Sequence, residues 1–275
     1  MADSLHYRVG HCEVFKITEQ EATLPASVLY PHQPLNEAVP AQIALSMHSW
    51  IVRTSDKLIV IDTATGNGRD RPGAPLFHQL NTPYEQRLHE AGVNPAEVDL
   101  VLMTHLHGDH VGWNTHWHEG QWQPLFPRVR YYCSDIGLAR WQQDPARATI
   151  MADSLTPVIK AGQLETIDIY SEPVFAGVLR YVPTPGHSHD HASVILHSGG
   201  EYALFSGDLM HHEIQISQPQ LASCFCENPR QAEGQRRWAL EWAASHQALW
   251  FSSHFAGSSA GYVIRHGEGF EWRFT

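Results

Sequence analysis

Read for its apolar and polar positions, the chain breaks into short, continuously apolar runs separated by amphipathic or irregular stretches. KLIVID (Lys57 to Asp62) and VDLVLMTH (Val98 to His105) are β-branched and apolar without alternation, the pattern of strands covered on both faces. RVRYYCS, LRYVPT, ASVILH, YALFSGD and ALWFSSH repeat it further on. Helical segments lie between them. TPYEQRLHEAG (Thr82 to Gly92) offers a threonine cap, a proline in the first turn and a closing glycine, and NPRQAEGQRRWALEWAASHQ is entered through Asn228 and Pro229. Strand and helix alternating in both halves predict an α/β layered fold.

Neither a fixed-period repeat nor a Pro/Gly/Ser linker divides the sequence, so residues 1–275 read as a single domain. The stretch TLPASVLYPHQPLNEAVPA (Thr23 to Ala41) is proline-rich and irregular. It predicts a long covering loop, read either as a lid or as a passive surface segment.

Composition narrows the function classes. Hydrophobic residues make up 43% of the chain and charged residues 17%, a globular balance without disorder-forming tracts. Acidic residues number 29 against 18 lysines and arginines, a formal net charge of −11, which disfavours nucleic acid as a partner. The four cysteines (Cys12, Cys133, Cys224, Cys226) are too scattered for a disulfide scaffold and fit a reducing, cytoplasmic compartment. Neither a secretory leader nor a run of about 20 apolar residues is present, so no membrane partner is expected. Histidine is the outlier: there are 20, more than lysine and arginine combined, and such a surplus asks for a metal or a pH role.

Four of the candidates for that role sit in one hexapeptide, HLHGDH. If VDLVLMT is a strand, the two-residue period puts His105 and His107 on one side of the chain as it leaves the sheet. Asp109 and His110 follow at the turn, where a helix start can hold them beside the first pair. Two nitrogens for one metal, and a carboxylate plus a nitrogen for a neighbour, make half of a dinuclear set. The rest of the sequence offers His187 in PTPGHS, Asp208 in LFSGDL and His254 in WFSSHF, each after a strand, where open α/β sheets place their sites. Five histidines and two aspartates would give each metal three protein ligands, with Asp208 shared.

HLHGDH is the HxHxDH signature of the metallo-β-lactamase superfamily, and His187, Asp208 and His254 fall in that family's order. VIDTATGNGRDRP, THLHGDHVGWNT, WQPLFPRVRYY, PTPGHS and FSGDLMHHEIQ together resemble its lactonase and methyl parathion hydrolase-like branch. The resemblance implies an αββα sandwich of two mixed β-sheets flanked by helices, holding two divalent metal ions, zinc first, with manganese, cobalt or iron as alternatives. Carried over residue by residue, His105, His107 and His187 hold one ion, Asp109, His110 and His254 the other, and Asp208 bridges them. One departure is local: where many relatives read PGHTPGH, this chain reads PGHSHDH, with His189 and Asp190 in place of proline and glycine.

The activity that the resemblance implies is hydrolysis by a metal-bridging hydroxide, with the second ion stabilising the oxyanion and Asp109 carrying a proton to the leaving group. Small neutral esters, lactones foremost, are the expected substrates. Phosphotriester hydrolysis, a glyoxalase-II-type thioesterase and a β-lactamase are the alternatives. Iron-dependent persulfide oxidation and a non-catalytic metal-binding protein stand behind them. Asp62 reads as orienting a metal-binding histidine. His211 and His212 read as donors beside the metals, as substrate contacts, or as packing residues. Trp113, Trp117 and Trp122 read as a hydrophobic layer under the motif loop, with Trp113 the candidate for a cleft wall. A small molecule is the expected partner, and a homodimer stays open.

Overall fold

The computed structural model describes residues 5–31 and 33–275. Two seven-stranded mixed sheets and one two-stranded hairpin organise these residues. The strands of the first sheet and the hairpin, in chain order, are β1 (His6–Val9), β2 (Cys12–Pro25), β3 (Gln42–Arg53), β4 (Leu58–Ile61), β5 (Leu100–Leu102), β6 (Thr115–His118), β7 (Gln121–Pro124), β8 (Arg130–Ser134) and β9 (Leu164–Ile167). The first sheet has the order β1-β2-β3-β4-β5-β8-β9, and β6 pairs with β7 outside it. The second sheet follows sequence order through β10 (Val174–Phe175), β11 (Leu179–Pro183), β12 (Ala192–Ser198), β13 (Glu201–Phe205), β14 (Leu249–Phe251), β15 (Ala260–His266) and β16 (Gly269–Phe274).

Contacts gather the chain into two compact units. The first comprises residues 5–8, 12–20 and 47–168, and the second residues 9–11, 21–46 and 169–275. In the first unit β4, β5, β8 and β9 run parallel, and all four residues of β4 are buried, as its unbroken apolar run predicts. Its core joins Val60, Val101 and Tyr131 from the sheet to Tyr84 and Leu88 of the helix Tyr84–Glu90. That helix begins one residue later than a threonine cap at Thr82 would set. Pro83 occupies the cap position, because the Thr82 hydroxyl is taken by Asn67 Oδ1 at 3.1 Å.

In the second unit the helix Pro229–His246 starts as its sequence predicts, with the Asn228 side chain accepting the Gln231 N–H and proline at the first turn. Ala239, Leu240 and Ala243 from its apolar face pack with Ile195, Leu204 and Trp250 of the sheet. Burying a side chain the size of Leu240 contributes about 1.5–3 kcal/mol and each alanine methyl about 0.8 kcal/mol, which anchors the helix against its strands. β11 and β13 are both antiparallel to β12, and β13 is parallel to β14. Three strands therefore end at the same edge, and the segments leaving them carry His187, Asp208 and His254.

The segment 23–41 is only partly irregular. β2 continues through Pro25 and a single helical turn, Ala26–Leu29, follows before the loop. Within the second unit, Gln33 exchanges two hydrogen bonds with the Ala222 backbone, Cys224 N–H donates to Leu29 O, and Asn36 pairs with Gln218. Among the described residues, no helix is long and apolar enough to cross a membrane.

Candidate metal centre

In the first unit the motif loop is built by the end of β5. Once the chain leaves the ladder, the Thr104 N–H is captured by Asp62 Oδ1 at 2.8 Å and its hydroxyl by Asp62 Oδ2 at 2.8 Å. Asp62 sits just past β4 with φ of 55°, a left-handed conformation that aspartate tolerates better than most residues. The same Oδ2 lies 2.8 Å from His110 Nδ1. A carboxylate only accepts, so the proton sits on His110 Nδ1 and the lone pair on Nε2. His105 Nδ1 lies 3.0 Å from the Thr104 hydroxyl, and His105 Nε2 lies 3.0 Å from His107 Nδ1. Asp109 and His110 occupy the short helical turn Gly108–Val111, with Asp109 Oδ1 3.9 Å from His110 Nε2. The turn is tied by Gly112 N–H to Ala64 O and Trp113 N–H to Thr63 O, both 2.8 Å, and glycine is required at 112 because a Cβ there would meet Thr65 O at 1.8 Å.

In the second unit three histidines surround one carboxylate. His187 Nε2 lies 3.2 Å from Asp208 Oδ2, His211 Nε2 3.5 Å from the same oxygen, and His254 Nε2 3.0 Å from Oδ1. All four residues are at least 97% buried. His254 Nδ1 lies 3.2 Å from Ser46 O, which fixes the proton on Nδ1 and turns the Nε2 lone pair toward Asp208. Lone pairs on imidazole and carboxylate repel unless a proton or a cation lies between them. Asp208, His211 and His254 each offer a donor atom within 4.8 Å of the others, so this donor set fits a cation.

The turn bearing His187 is held by its neighbours in the chain. Gly186 has φ of 137°, and a Cβ there would meet Ala232 N at 2.3 Å, so only glycine lets this turn lie against the helix Pro229–His246. Asn228 N–H donates to Gly186 O and Glu227 N–H to His187 O. The departure from the family's usual turn has a structural result. His189 points at Glu227, 3.6 Å away, while Asp190 is fully buried and desolvation raises its pKa.

His211 joins the carboxylate cluster and stacks on His254, with ring centroids 5.2 Å apart. His212 turns elsewhere: its Nδ1 accepts the Ile214 N–H and burial lowers its pKa. Trp113 is 2% exposed, stacks on Tyr84 at 4.8 Å and donates its indole N–H to Glu19. Trp141 lies 6.1 Å from the motif histidine His107. Nor do the three tryptophans form one buried layer, because Trp117 is 59% exposed on β6. Sequence reasoning kept His191 at its place in the family's turn but gave it no role; its Nε2 accepts the Asp208 backbone N–H at 2.8 Å. The second histidine of PGHSHDH was the available signal.

With this geometry in place, the comparisons with known proteins are specific. The sequence pattern of the metallo-beta-lactamase superfamily matches residues 44–254, and the chain belongs to that family. A probable metallo-hydrolase of Mycobacterium tuberculosis is 26% identical over 188 residues, which cover 62% of this chain and 58% of that protein. The chain thus spans less than two thirds of the length of that curated relative. Among solved structures, AidC, a dizinc quorum-quenching lactonase in complex with an acyl-homoserine product, superposes with a TM-score of 0.82 at 21% identity. That match covers 99% of this chain and 97% of the other. The hydrolase AbOPH gives a TM-score of 0.82 at 20% identity, covering 100% and 98%. At these identities the two superpositions establish the fold.

Proposed function

We propose that this chain is a metal-dependent hydrolase of small neutral esters, with lactones as the leading substrate class. One observation carries the reading: the two oxygens of the buried Asp208 carboxylate face different histidines, Oδ1 toward His254 and Oδ2 toward His187. A carboxylate divided in this way is suited to serve two cations at once. On the family's motif order, His105, His107 and His187 hold one ion, and Asp109, His110 and His254 the other. Bound divalent ions supply Lewis acidity toward a carbonyl and lower the pKa of water to about 7.

The chain's own residues do the remaining work. Asp62 and Ser46 fix the protonated nitrogens of His110 and His254, so that each imidazole presents Nε2. His191 and Thr184 hold the Asp208 turn. Asp109, the less buried carboxylate of the set, is the group that carries a proton between a leaving oxygen and solvent. The acidic balance of the chain disfavours polyanionic substrates, and the lactonase among the structural neighbours supports lactones in particular.

The test is a panel of lactones, aryl esters, phosphotriesters, thioesters and β-lactams, run on chelator-stripped protein and after loading with zinc, manganese or cobalt. The expected result is lactone hydrolysis that disappears on stripping and returns on loading. kcat/KM should rise with pH through an apparent pKa of about 7 that moves with the metal. Lactone turnover that survives stripping would sink the metal-dependent reading. Preferential turnover of another ester class would reassign the substrate alone.

A further inference from the structure

The first unit holds a cavity of about 880 Å³ that none of the four motif ligands lines. Trp113 forms part of its wall, and Trp122 and Trp117 flank it from the β6–β7 hairpin, where they are cross-strand partners. The two hairpin indoles meet edge to face, with centroids 5.1 Å apart and planes at 73°. Trp117 is 59% exposed where it lines the cavity, and with Trp122 and Trp113 it makes an aromatic wall whose area is costly to leave in water.

The carboxylates of the lining outnumber its cations, although Arg69 and Arg71 lie behind it. Asp70, Glu85 and Asp153 line the cavity, and among the described residues neither lysine nor arginine does. Asp153 is neutralised by Arg71, whose two nitrogens lie 2.7 and 2.9 Å from its oxygens. Asp70 and Glu85 have weaker partners, His78 at 3.6 Å and His116 at 3.5 Å. Their side chains are 71% and 43% exposed. The protein itself shows what such a ring attracts. The Arg69 guanidinium lies over Trp122, 3.8 Å from the ring centroid.

From these observations we propose that the cavity binds a small organic cation, an alkylammonium group seated on Trp117 and Trp122 and balanced by Asp70 and Glu85. Ring quadrupoles attract a cation, and an alkylated ammonium loses less hydration on entering an apolar wall than a compact one. A neutral sugar could use the same indole platform and donate hydroxyl hydrogen bonds to the carboxylates, but it lacks the charge that ring quadrupoles and two partly exposed carboxylates attract, so it is the competitor in the test. The proposed site is additional to the hydrolytic reading and does not depend on it.

Tetraethylammonium chloride is the probe, with sodium chloride at equal ionic strength as control and a methyl glucoside as the neutral competitor. Indole N–H signals of the full-length, metal-loaded protein are followed by NMR. The expected result is a saturable shift absent with sodium chloride, weakened by added salt, and weakened roughly twofold to thirtyfold in Trp117→Ala. Glu85→Gln combined with Asp70→Asn should weaken it as well, while Trp117→Phe should restore part of the loss. Metal content and ester hydrolysis should stay as in the parent protein for all of these variants, which also reports that they fold. No saturable shift, a shift indifferent to Trp117→Ala, or preference for the glucoside would each overturn the proposal.

Discussion

His191 holds Asp208 by the backbone: its Nε2 accepts the Asp208 N–H at 2.8 Å, while its Nδ1 lies 3.0 Å from Thr184 O. The carbonyl can only accept, so the proton sits on Nδ1 and the ring is a neutral strut between two turns of the second unit. Through that backbone bond it helps fix where the Asp208 carboxylate points.

Removing this strut should therefore act on metal binding through geometry. His191→Ala is expected to lower metal affinity roughly 10–100-fold, the usual cost of losing an outer partner of a ligand. Asn at this position can still accept the N–H and should recover part of the loss. Titration against a metal buffer reads the effect directly, and unchanged affinity in His191→Ala would count against the strut.

Asp62 makes a parallel case in the first unit, since it ties the Thr104 backbone and hydroxyl to His110. Asp62→Asn keeps the shape and tolerates the left-handed backbone, but it replaces one acceptor oxygen with a donor. Metal affinity should again fall roughly 10–100-fold. Circular dichroism unchanged from the parent would separate this loss from unfolding.

The segment 23–41 is proposed as a cover over substrate, latched by the Gln33 amide to Ala222. Two ordinary hydrogen bonds are worth about 0.5–1.5 kcal/mol each, so Gln33→Ala should raise KM roughly twofold to tenfold while leaving metal content and the pH profile of kcat in place. Kinetics identical to the parent across the substrate panel would make the segment a passive one.

Glu19 predicts a pH dependence of stability. Desolvation raises its pKa above the ordinary 4.5, outweighing N–H donors from Thr65, Gly66 and Trp113. A carboxyl whose folded pKa is raised contributes stability that is fully present below the unfolded value and is lost as pH rises through the folded one. Glu19→Gln resembles the protonated form and removes that dependence. The Tm of the variant, taken relative to the parent, should become more favourable as pH rises from about 4 to 7. A difference that stays flat over this range would mean that Glu19 ionises in the folded state as easily as in water.

Much of this protein was determined by local sequence. KLIVID and VDLVLMTH became β4 and β5 because a parallel strand buried on both faces needs an unbroken apolar run. The helix from Pro229 began where Asn228 and Pro229 marked its start. HLHGDH, PGH, SGD and SSH named the candidate ligands, since short motifs carry both the donor chemistry and the chain's exit from a strand. Other features depended on contacts between distant positions, which periodicity does not encode. Trp113 follows the motif by three residues yet turns into the core, because Tyr84 stacks on it and Glu19 takes its N–H. Trp117, four residues on, stays outside because its hairpin leaves the sheet. Only the folded chain brought Asp62 to His110, 48 positions away, and His191 to the Asp208 backbone, 17 positions away. Sequence chose the donors, and tertiary structure chose which nitrogen each presents, because a tautomer is set by the partner across the ring.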